Sequence, residues 1–416
     1  MDCVTGSIDI TPSKPVSMGG WMGYRESSSA IGSRIEGNIV VLRDKDTVAF
    51  VSIDALYVGA LLRNALQKVA QNYGLSDRNL IVGASHTHFA PMLDTSKPNL
   101  GRADPEHVDW VIDKLCALLE RTLSSVFVPV ELRHSLCKDK FAVSRRSNHW
   151  RITKYGIKKK CVSAPNLSAT EAEAVHLITV RSVTGAVMAV IWSAACHPVG
   201  WPNRKQISAD FPGDVRTSLR QQLGKSVPVV FLQGCSGDLR PWTEPLRAPF
   251  RLGSWLRQEY FKIHLTFPIY KNWSEKICKL ASKVFNTCEL GTPINGSIRS
   301  LKSLIPLELI FNGVDSTKNL GVNIVFIGNG LVIIGASCEL PVAVRHLMEQ
   351  TFPNLCVLPI GCLDDSFGYF PSTKMLIEGG YEVNGWLSVF GLPWKVRLDC
   401  DPDQIFNTAL NKLVES

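Results

Sequence analysis

Two histidines directly after a buried strand are the feature that most constrains this chain. The apolar segment 80–84 has the length and composition of a strand covered on both faces, and the small-residue turn that follows it carries His86 and His88. The end of a buried strand is rigid and the turn faces solvent, so imidazoles there are held in place beside water. That setting suits a metal ligand or a general base. Alone, the pattern also fits two loop histidines bonded to backbone carbonyls.

Two later segments repeat the arrangement. The apolar run 187–195 ends just before Cys196, His197 and Pro198, and the run 229–233 ends in a glycine-rich turn that carries Asp238. Three apolar strands that each deliver a metal-compatible or acidic side chain at one end predict a site assembled along the edge of a sheet.

The secondary-structure pattern mixes hairpins with strand–helix units. It predicts hairpins at 40–53 and 322–334, helices at 61–73 and 211–223, a helix capped by Asp104 and opened by Pro105, and a C-terminal helix from Pro402. This mixture predicts an α/β fold in which layered mixed β-sheets are flanked by helices and the metal site lies at strand ends. Because no linker or repeat divides the chain, we expect one domain over residues 1–416.

Five blocks of residues carry a resemblance to a known family. They are His86-Thr87-His88; Cys196-His197-Pro198 with the segment 207–213; the segment 233–238; the segment 335–341 around Glu339; and the segment 361–369 followed by 378–382. In this order they resemble the signature blocks of the neutral/alkaline (non-lysosomal) ceramidases, which are zinc-dependent amide hydrolases. The resemblance runs from near Asp9 to about Gly391 and so covers nearly the whole catalytic domain.

The resemblance implies a zinc ion bound by His86, His197, Glu339 and Tyr369. Zinc takes nitrogen and oxygen ligands, and a catalytic site keeps one position open for water or substrate. The segment that begins at Glu339 is also predicted to start a helix, whose dipole would favour an acid there without any metal.

The resemblance also implies the catalytic groups. His88 would transfer protons and bind substrate beside the metal, since alternate residues of an extended chain share a face. Tyr381 would polarise the scissile carbonyl, and Arg145 would be the active-site arginine, although Arg146 matches that position equally well. Asp210 and Asp238 are predicted to hold loops or ligands in place.

The sequence departs from the family at Arg240, which stands where ceramidases carry a serine shortly after the Gly-Asp turn. A permanent positive charge there predicts a pocket for a polar or anionic N-acyl substrate, smaller and wetter than ceramide. The chain also ends soon after the last catalytic block, whereas long ceramidases continue into a β-sandwich domain, so we expect the catalytic domain only.

Composition limits the classes of partner and the cellular compartment that we expect for this protein. The formal net charge is +8, with a basic run at 151–160, but no nucleic-acid motif accompanies it, so a solvated surface is the simplest interpretation and an anionic or membrane-surface partner the alternative. The twelve cysteines lie apart and no export signal or membrane span is evident, which predicts reduced thiols in a cytoplasmic protein with at most peripheral membrane contact. The oligomeric state stays open.

An aromatic and basic segment at 243–273 directly follows the Gly-Asp turn. We expect an amphipathic insertion packed on its own domain, with a lid or a bilayer contact beside the site as the alternative.

The sequence thus predicts a zinc-dependent hydrolase that cleaves an amide (N-acyl) bond of a small-molecule or lipid-like substrate by a metal-activated water. One alternative is an amidohydrolase-type barrel, which also begins its metal site with His-x-His but needs eight regular strand–helix repeats. The other is a catalytically silent binding protein with the same fold.

Overall fold

The computed structural model describes residues 1–153, 156–169, 171–243 and 265–415. Two sheets form its centre, an eight-stranded sheet in the order β12-β10-β9-β6-β1-β3-β4-β5 and a four-stranded sheet in the order β14-β16-β17-β18. In the first sheet β4 and β5 are parallel, as are β10 and β12, while β3 and β4 form an antiparallel hairpin. Smaller sheets join β13-β7-β8, β11-β2 and β15-β19.

The strands are β1 (Asp2–Asp9), β2 (Ala30–Ile31), β3 (Glu36–Arg43), β4 (Thr47–Ile53), β5 (Leu80–Ala84), β6 (Val128–Asp139), β7 (Ala142–Thr153), β8 (Gly156–Asn166), β9 (Glu173–Ser182), β10 (Val187–Ala194), β11 (Gln206–Ile207), β12 (Val229–Gln233), β13 (Leu239–Pro241), β14 (Ile298–Pro306), β15 (Phe311–Asn312), β16 (Asn319–Ile327), β17 (Leu331–Ala336), β18 (Cys356–Ile360) and β19 (Lys395–Val396). The α-helices are α1 (Ala60–Asn72), α2 (Pro105–Leu123), α3 (Asp210–Leu223), α4 (Phe267–Leu290), α5 (Val342–Thr351), α6 (Thr373–Glu378), α7 (Trp386–Phe390) and α8 (Pro402–Glu415). Shorter helical turns lie at Asp77–Asn79, Pro98–Leu100, Leu307–Leu309 and Tyr381–Gly385.

The two main sheets pack face to face between layers of helices. Successive side chains of a strand point to opposite faces, and on β3 Val40 and Leu42 pack toward the four-stranded sheet while Ile39 and Val41 pack under α1 and α2. Helices α3 and α4 cover β9, β10 and β12, and α5 and α8 cover the outer face of the four-stranded sheet. The result is a four-layer arrangement of helices, two sheets and helices.

The eight-stranded sheet is curved, so that its two ends lie next to each other. Ser52 on β4 donates its hydroxyl to the carbonyl of Phe231 on β12 at 2.7 Å. The N–H of Val229 on β12 donates to Asn38 Oδ1 on β3 at 3.2 Å. Because of this curvature, the residues that follow β5 and those that follow β10 and β12 approach one another although these strands stand at opposite ends of the strand order.

The predicted fold class is confirmed, and the amidohydrolase-type barrel is wrong because the strands form layered mixed sheets. The hairpin around Gly328 to Gly330 joins β16 and β17, and the predicted helices are α1, α2, α3 and α8. Asp104 caps α2 by accepting from two backbone N–H groups, and Gly224 ends α3 in the left-handed conformation.

Residues 244–264 of the predicted aromatic insertion lie outside the described residues. The described remainder begins α4, where Tyr270 and Trp273 are buried against α3 and its neighbours. Whether the segment as a whole is an insertion packed on its own domain, a lid or a bilayer contact stays a prediction.

No disulfide joins any of the twelve cysteines, all of which lie among the described residues. None of the helices among the described residues is long and apolar enough to cross a membrane.

Candidate metal centre

His86 occupies a sharp turn at the end of β5. Its φ is 62°, in the left-handed region that residues other than glycine rarely adopt. Such strain persists only where the surroundings hold it, and it is common at functional sites. The sequence argument assumed an extended chain at His86, and this assumption is wrong. His86 and His88 nevertheless approach each other, with ring centroids 5.1 Å apart.

The imidazoles of His86, His88 and His197 approach one another with the same ring atom, Nε2. Each histidine directs Nδ1 at a backbone carbonyl, which indicates an N–H there and leaves the lone pair on Nε2. Nε2 of His197 lies 3.2 Å from Nε2 of His86 and 3.2 Å from Nε2 of His88. The carbonyl partners are Leu56 for His86 at 2.9 Å, Gly20 for His88 at 2.7 Å and Ser236 for His197 at 3.2 Å.

A buried carboxylate faces this group of histidines. Oε2 of Glu339 lies 3.3 Å from Nε2 of His86 and 3.8 Å from Nε2 of His197, and it has no hydrogen-bond partner although it is buried. The other oxygen accepts a hydrogen bond from the hydroxyl of Tyr57. Buried polar atoms almost always have a hydrogen-bond partner. A buried carboxylate oxygen that has none and lies beside imidazole nitrogens therefore fits a bound cation.

The prediction that Glu339 begins a helix is wrong. Pro341 precedes α5, which starts only at Val342, and Glu339 instead forms an isolated parallel bridge with Tyr369. Its N–H donates to the carbonyl of Gly368 at 2.7 Å. The backbone pairing, not a helix dipole, holds this carboxylate at the site.

The charges at the site also suit a cation. Burial would raise the pKa of Glu339, but the charge of His86 and hydrogen bonds from its neighbours lower it to about 2. Burial, followed by the charge of His86, lowers the pKa of His88 to about 3 and that of His197 well below its usual range. Burial opposes protonation of His86, yet Cys362 and Glu339 raise its pKa well above the usual value. The centre thus favours one positive charge beside Glu339, which the proton of His86 supplies here, while the imidazoles of His88 and His197 are neutral.

Two tyrosines and an arginine border the centre. Tyr369 forms the backbone bridge with Glu339, and its ring lies 5.4 Å from that of Tyr381. Arg145 donates to the hydroxyl of Tyr369 at 3.2 Å, and its guanidinium lies 5.3 Å from the centre of the Tyr381 ring. Burial raises the pKa of both tyrosines, so both phenols carry their protons near neutral pH and can donate hydrogen bonds.

The geometry separates Arg145 from Arg146. The pairing of β7 with β8 shifts register between Ser144 and Arg146, and this bulge lets two consecutive side chains reach Glu382 at 2.7 and 2.6 Å. Arg145 also donates a hydrogen bond to the hydroxyl of Tyr369, whereas Arg146 donates to the carboxylate of Glu378 at 3.0 Å. Arg145 is the arginine that faces the candidate metal centre.

A cavity of about 290 Å³ opens on the centre. His88, His197, Glu339, Tyr369 and Tyr381 lie in its wall together with Arg145 and Arg240. The apolar part of the wall consists of Trp21, Met22, Leu56, Leu100, Val199, Val389 and Phe390. A concave, largely apolar site with a few convergent polar groups is typical of a small-molecule site.

The two predicted supporting acids hold loops and do not touch the imidazoles. Asp210 accepts from the N–H groups of Gly200 and Trp201 at 2.7 and 3.1 Å, which fixes the turn after His197. Asp238 accepts from the N–H of Val342 at 2.9 Å, just after the Glu339 segment.

Sequence reasoning missed Tyr57, whose hydroxyl positions Glu339. The available signal was that β4 is also a buried strand, followed closely by Asp54 and Tyr57, and that it runs parallel to β5. No motif marks this tyrosine. It also missed the bridging role of Glu382 between the two arginines.

Comparison with known proteins supports the fold. The chain matches the crystal structure of neutral ceramidase from Pseudomonas aeruginosa with a TM-score of 0.72 and 14% sequence identity, over 100% of this chain and 74% of that chain. It matches a structure described as ceramidase complexed with C2 with a TM-score of 0.70 and 14% identity, over 98% of this chain and 73% of that chain. Neither a protein-family model nor a curated protein sequence matches. The resemblance predicted from the five blocks is therefore confirmed in three dimensions: this chain has a ceramidase-like fold.

Proposed function

We propose that this chain is a zinc-dependent hydrolase that cleaves the N-acyl amide bond of a small-molecule or lipid-like substrate. The observation that carries the proposal is the convergence of three Nε2 atoms beside a cavity, two of them 3.3 and 3.8 Å from the unpartnered carboxylate oxygen of Glu339. The ceramidase-like fold supports the same reaction class, because the solved structures with this fold are ceramidases.

The donor atoms suit zinc better than the harder divalent cations. Imidazole nitrogens and one carboxylate oxygen form a zinc donor set, whereas magnesium and calcium prefer oxygen ligands alone. His86, His197, Glu339 and Tyr369 would hold the ion. Bound zinc lowers the pKa of a water molecule to about 7 and so supplies a nucleophile near neutral pH.

The remaining groups bind the substrate and move protons. The protonated phenol of Tyr381 donates to the scissile carbonyl oxygen, where negative charge develops as the carbonyl is attacked. His88 is neutral near pH 7 and accepts a proton at Nε2, since its Nδ1–H is committed to the carbonyl of Gly20. Arg145 keeps Tyr369 oriented, and the apolar wall takes the acyl chain and excludes water.

Metal content is the first test. We expect about one zinc per wild-type chain and a loss of that zinc in His86→Ala and His197→Ala, because each removes one donor from a small set. The measurement is elemental analysis of purified protein after dialysis. His134, His176 and Cys356 also bring potential ligand atoms within 4.8 Å of one another. The His176→Ala variant is therefore the matched control and should keep its zinc.

Activity is then measured on a panel of N-acyl amides with and without chelator. Hydrolysis that chelator abolishes and added zinc restores supports the proposal. A stoichiometric metal with no turnover of any N-acyl amide would favour the binding-protein alternative, and a wild-type protein without metal would contradict the proposal at its root.

Arg240 supports a substrate that carries a negative charge. It lies in the cavity wall, and burial, followed by the charge of Arg145, lowers its pKa to about 10, so it still carries its charge near neutral pH. A guanidinium in that position suits a carboxylate or phosphate on the substrate. We expect Arg240→Ser to raise KM for an anionic N-acyl amide by about ten- to a hundredfold, the effect of losing a hydrogen bond to a charged group.

The control for Arg240 is a neutral analogue with the same acyl chain, whose KM should change far less in Arg240→Ser. Efficient hydrolysis of long-chain ceramide by the wild type, with no preference for charged amides, would remove the case for an anionic substrate.

A further inference from the structure

Strands β7 and β8 form a ribbon that extends away from the cavity. Strand β13 pairs with Ala142 to Ser144 at the start of β7. Among the described residues, β7 and β8 continue beyond this point as a two-stranded antiparallel pair up to Thr153 and Gly156. At about 3.4 Å per residue, the ribbon from Arg145 to Ile152 is roughly 24 Å long.

The far end of this ribbon exposes three large apolar side chains. Trp150 is 71% exposed, Ile152 is 81% exposed and Ile157 is 69% exposed. Ile152 is paired directly with Ile157, and Trp150 with Lys159, so these four side chains share one face. A contiguous exposed apolar group of this kind marks an interaction site more often than a chance surface.

Three consecutive lysines lie on β8 next to the apolar group. Lys158, Lys159 and Lys160 are all exposed; Lys159 lies on the apolar face, while Lys158 and Lys160 lie on the opposite face. The basic run that sequence analysis assigned to a solvated surface is therefore combined with a tryptophan and two isoleucines at the end of a projecting element.

We propose that this ribbon docks on the surface of an anionic lipid bilayer, with Trp150, Ile152 and Ile157 in the headgroup region and the lysines against the lipid phosphates. Tryptophan favours the membrane interface because its ring is apolar and its N–H is polar. Each lysine near an anionic surface adds an attraction that changes binding about fivefold. Apolar contact and basic charge together give the two signals that stable peripheral binding requires.

The ribbon connects the bilayer to the cavity. Arg145 at the base of β7 and Ser163 on β8 both line the cavity that contains the metal centre. A membrane bound at the far end would hold the cavity within roughly 24 Å of the lipid surface. This arrangement suits a lipid-like amide that must leave the bilayer, but the docking itself does not depend on the proposed hydrolysis.

Vesicle flotation tests the proposal directly. The full chain is mixed with vesicles of phosphatidylcholine containing about a third phosphatidylserine, and with pure phosphatidylcholine vesicles. We expect binding to the anionic vesicles, at least tenfold weaker binding to the neutral ones, and a further loss as salt is raised. The double variant Trp150→Ala/Ile152→Ser and the double variant Lys159→Glu/Lys160→Glu should each reduce binding to anionic vesicles by tenfold or more.

Matched controls change the same residue types elsewhere. Val126→Ser removes an equally exposed apolar side chain, and Lys279→Glu/Lys283→Glu reverses two exposed lysines on α4. Both should bind as the wild type does. Zinc content and the thermal transition of every variant, which the ribbon changes should leave unaltered, establish that the domain is intact even if no substrate has been found.

Three results of the vesicle assay would overturn the proposal. They are a wild type that does not float with anionic vesicles, ribbon variants that bind as the wild type, and control variants that lose binding to the same extent. A dimer in light scattering that Trp150→Ala/Ile152→Ser dissociates, without vesicle binding, would also overturn it and would identify the ribbon as a contact between copies of the chain.

Discussion

Tyr381→Phe is expected to lower kcat by about 10²–10³-fold while the variant keeps its zinc and its fold. Tyr381 lies in the cavity wall beside Tyr369 and Arg145, and burial keeps its phenol protonated. Removing one hydrogen-bond donor from the position where negative charge develops costs about that factor. Steady-state kinetics on the best N-acyl amide, together with metal content, provide the measurement. Tyr73→Phe, at the exposed end of α1, is the matched control and should leave kcat unchanged.

His88→Ala separates two roles for the second histidine of the turn. If His88 transfers protons, as the resemblance implies, the variant keeps its zinc and loses about 10²–10⁴-fold in kcat. The short distance between Nε2 of His88 and Nε2 of His197 also permits direct ligation. Loss of zinc in His88→Ala would therefore contradict the assignment of His88 to proton transfer. An unchanged kcat in Tyr381→Phe or in His88→Ala would show that the substituted residue has no catalytic role.

Glu382→Gln is expected to lower the free energy of unfolding by about 3–5 kcal/mol. Glu382 is buried between Arg145 and Arg146 and bonds both guanidinium groups. Without its charge Arg145 is left as a buried cation whose described bonds are to the carbonyl of Gly237 and the hydroxyl of Tyr369. Breaking a buried ion pair by removing one partner typically costs this much, because the remaining charge stays desolvated.

The matched control for this prediction is Glu378→Gln. Glu378 bonds only the Arg146 side of the network and is more exposed, and Arg146 would keep Glu382. A loss of about 1 kcal/mol or less is expected there. Chemical denaturation of both variants beside the wild type provides the comparison. Equal losses in the two variants would show that Glu382 is not the counter-charge that stabilises the pair.

The sequence determined the elements and the residue types of the site. Apolar runs of strand length predicted β5, β10 and β12, since a strand covered on both faces needs a continuous apolar segment. Local turn and cap chemistry predicted the β16–β17 hairpin, the Asp104 cap and the glycine that ends α3, because these signals act within a few residues. The histidines, Glu339 and Tyr369 were found by their place in the ordered family blocks.

Only the tertiary structure decided how these parts meet. His86 and His197 follow strands from opposite ends of an eight-stranded sheet, and the curvature of that sheet brings their Nε2 atoms to 3.2 Å. Curvature depends on the summed packing of many residues, so no local pattern contains it. The bulge beside Arg145 decided which arginine faces the centre, and the β-bridge to Tyr369 placed Glu339 outside any helix.

The same division explains the residue that was missed and the apolar group that only the folded ribbon shows. Tyr57 carries no motif because its role depends on Glu339, a residue far away in the chain, and the contact exists only once β4 lies beside the site. In the sequence alone, the basic run at 151–160 is an ordinary charged segment. Folding into an antiparallel pair sets Trp150 and Ile152 beside Ile157 on one face, since cross-strand neighbours are defined by register and not by sequence distance.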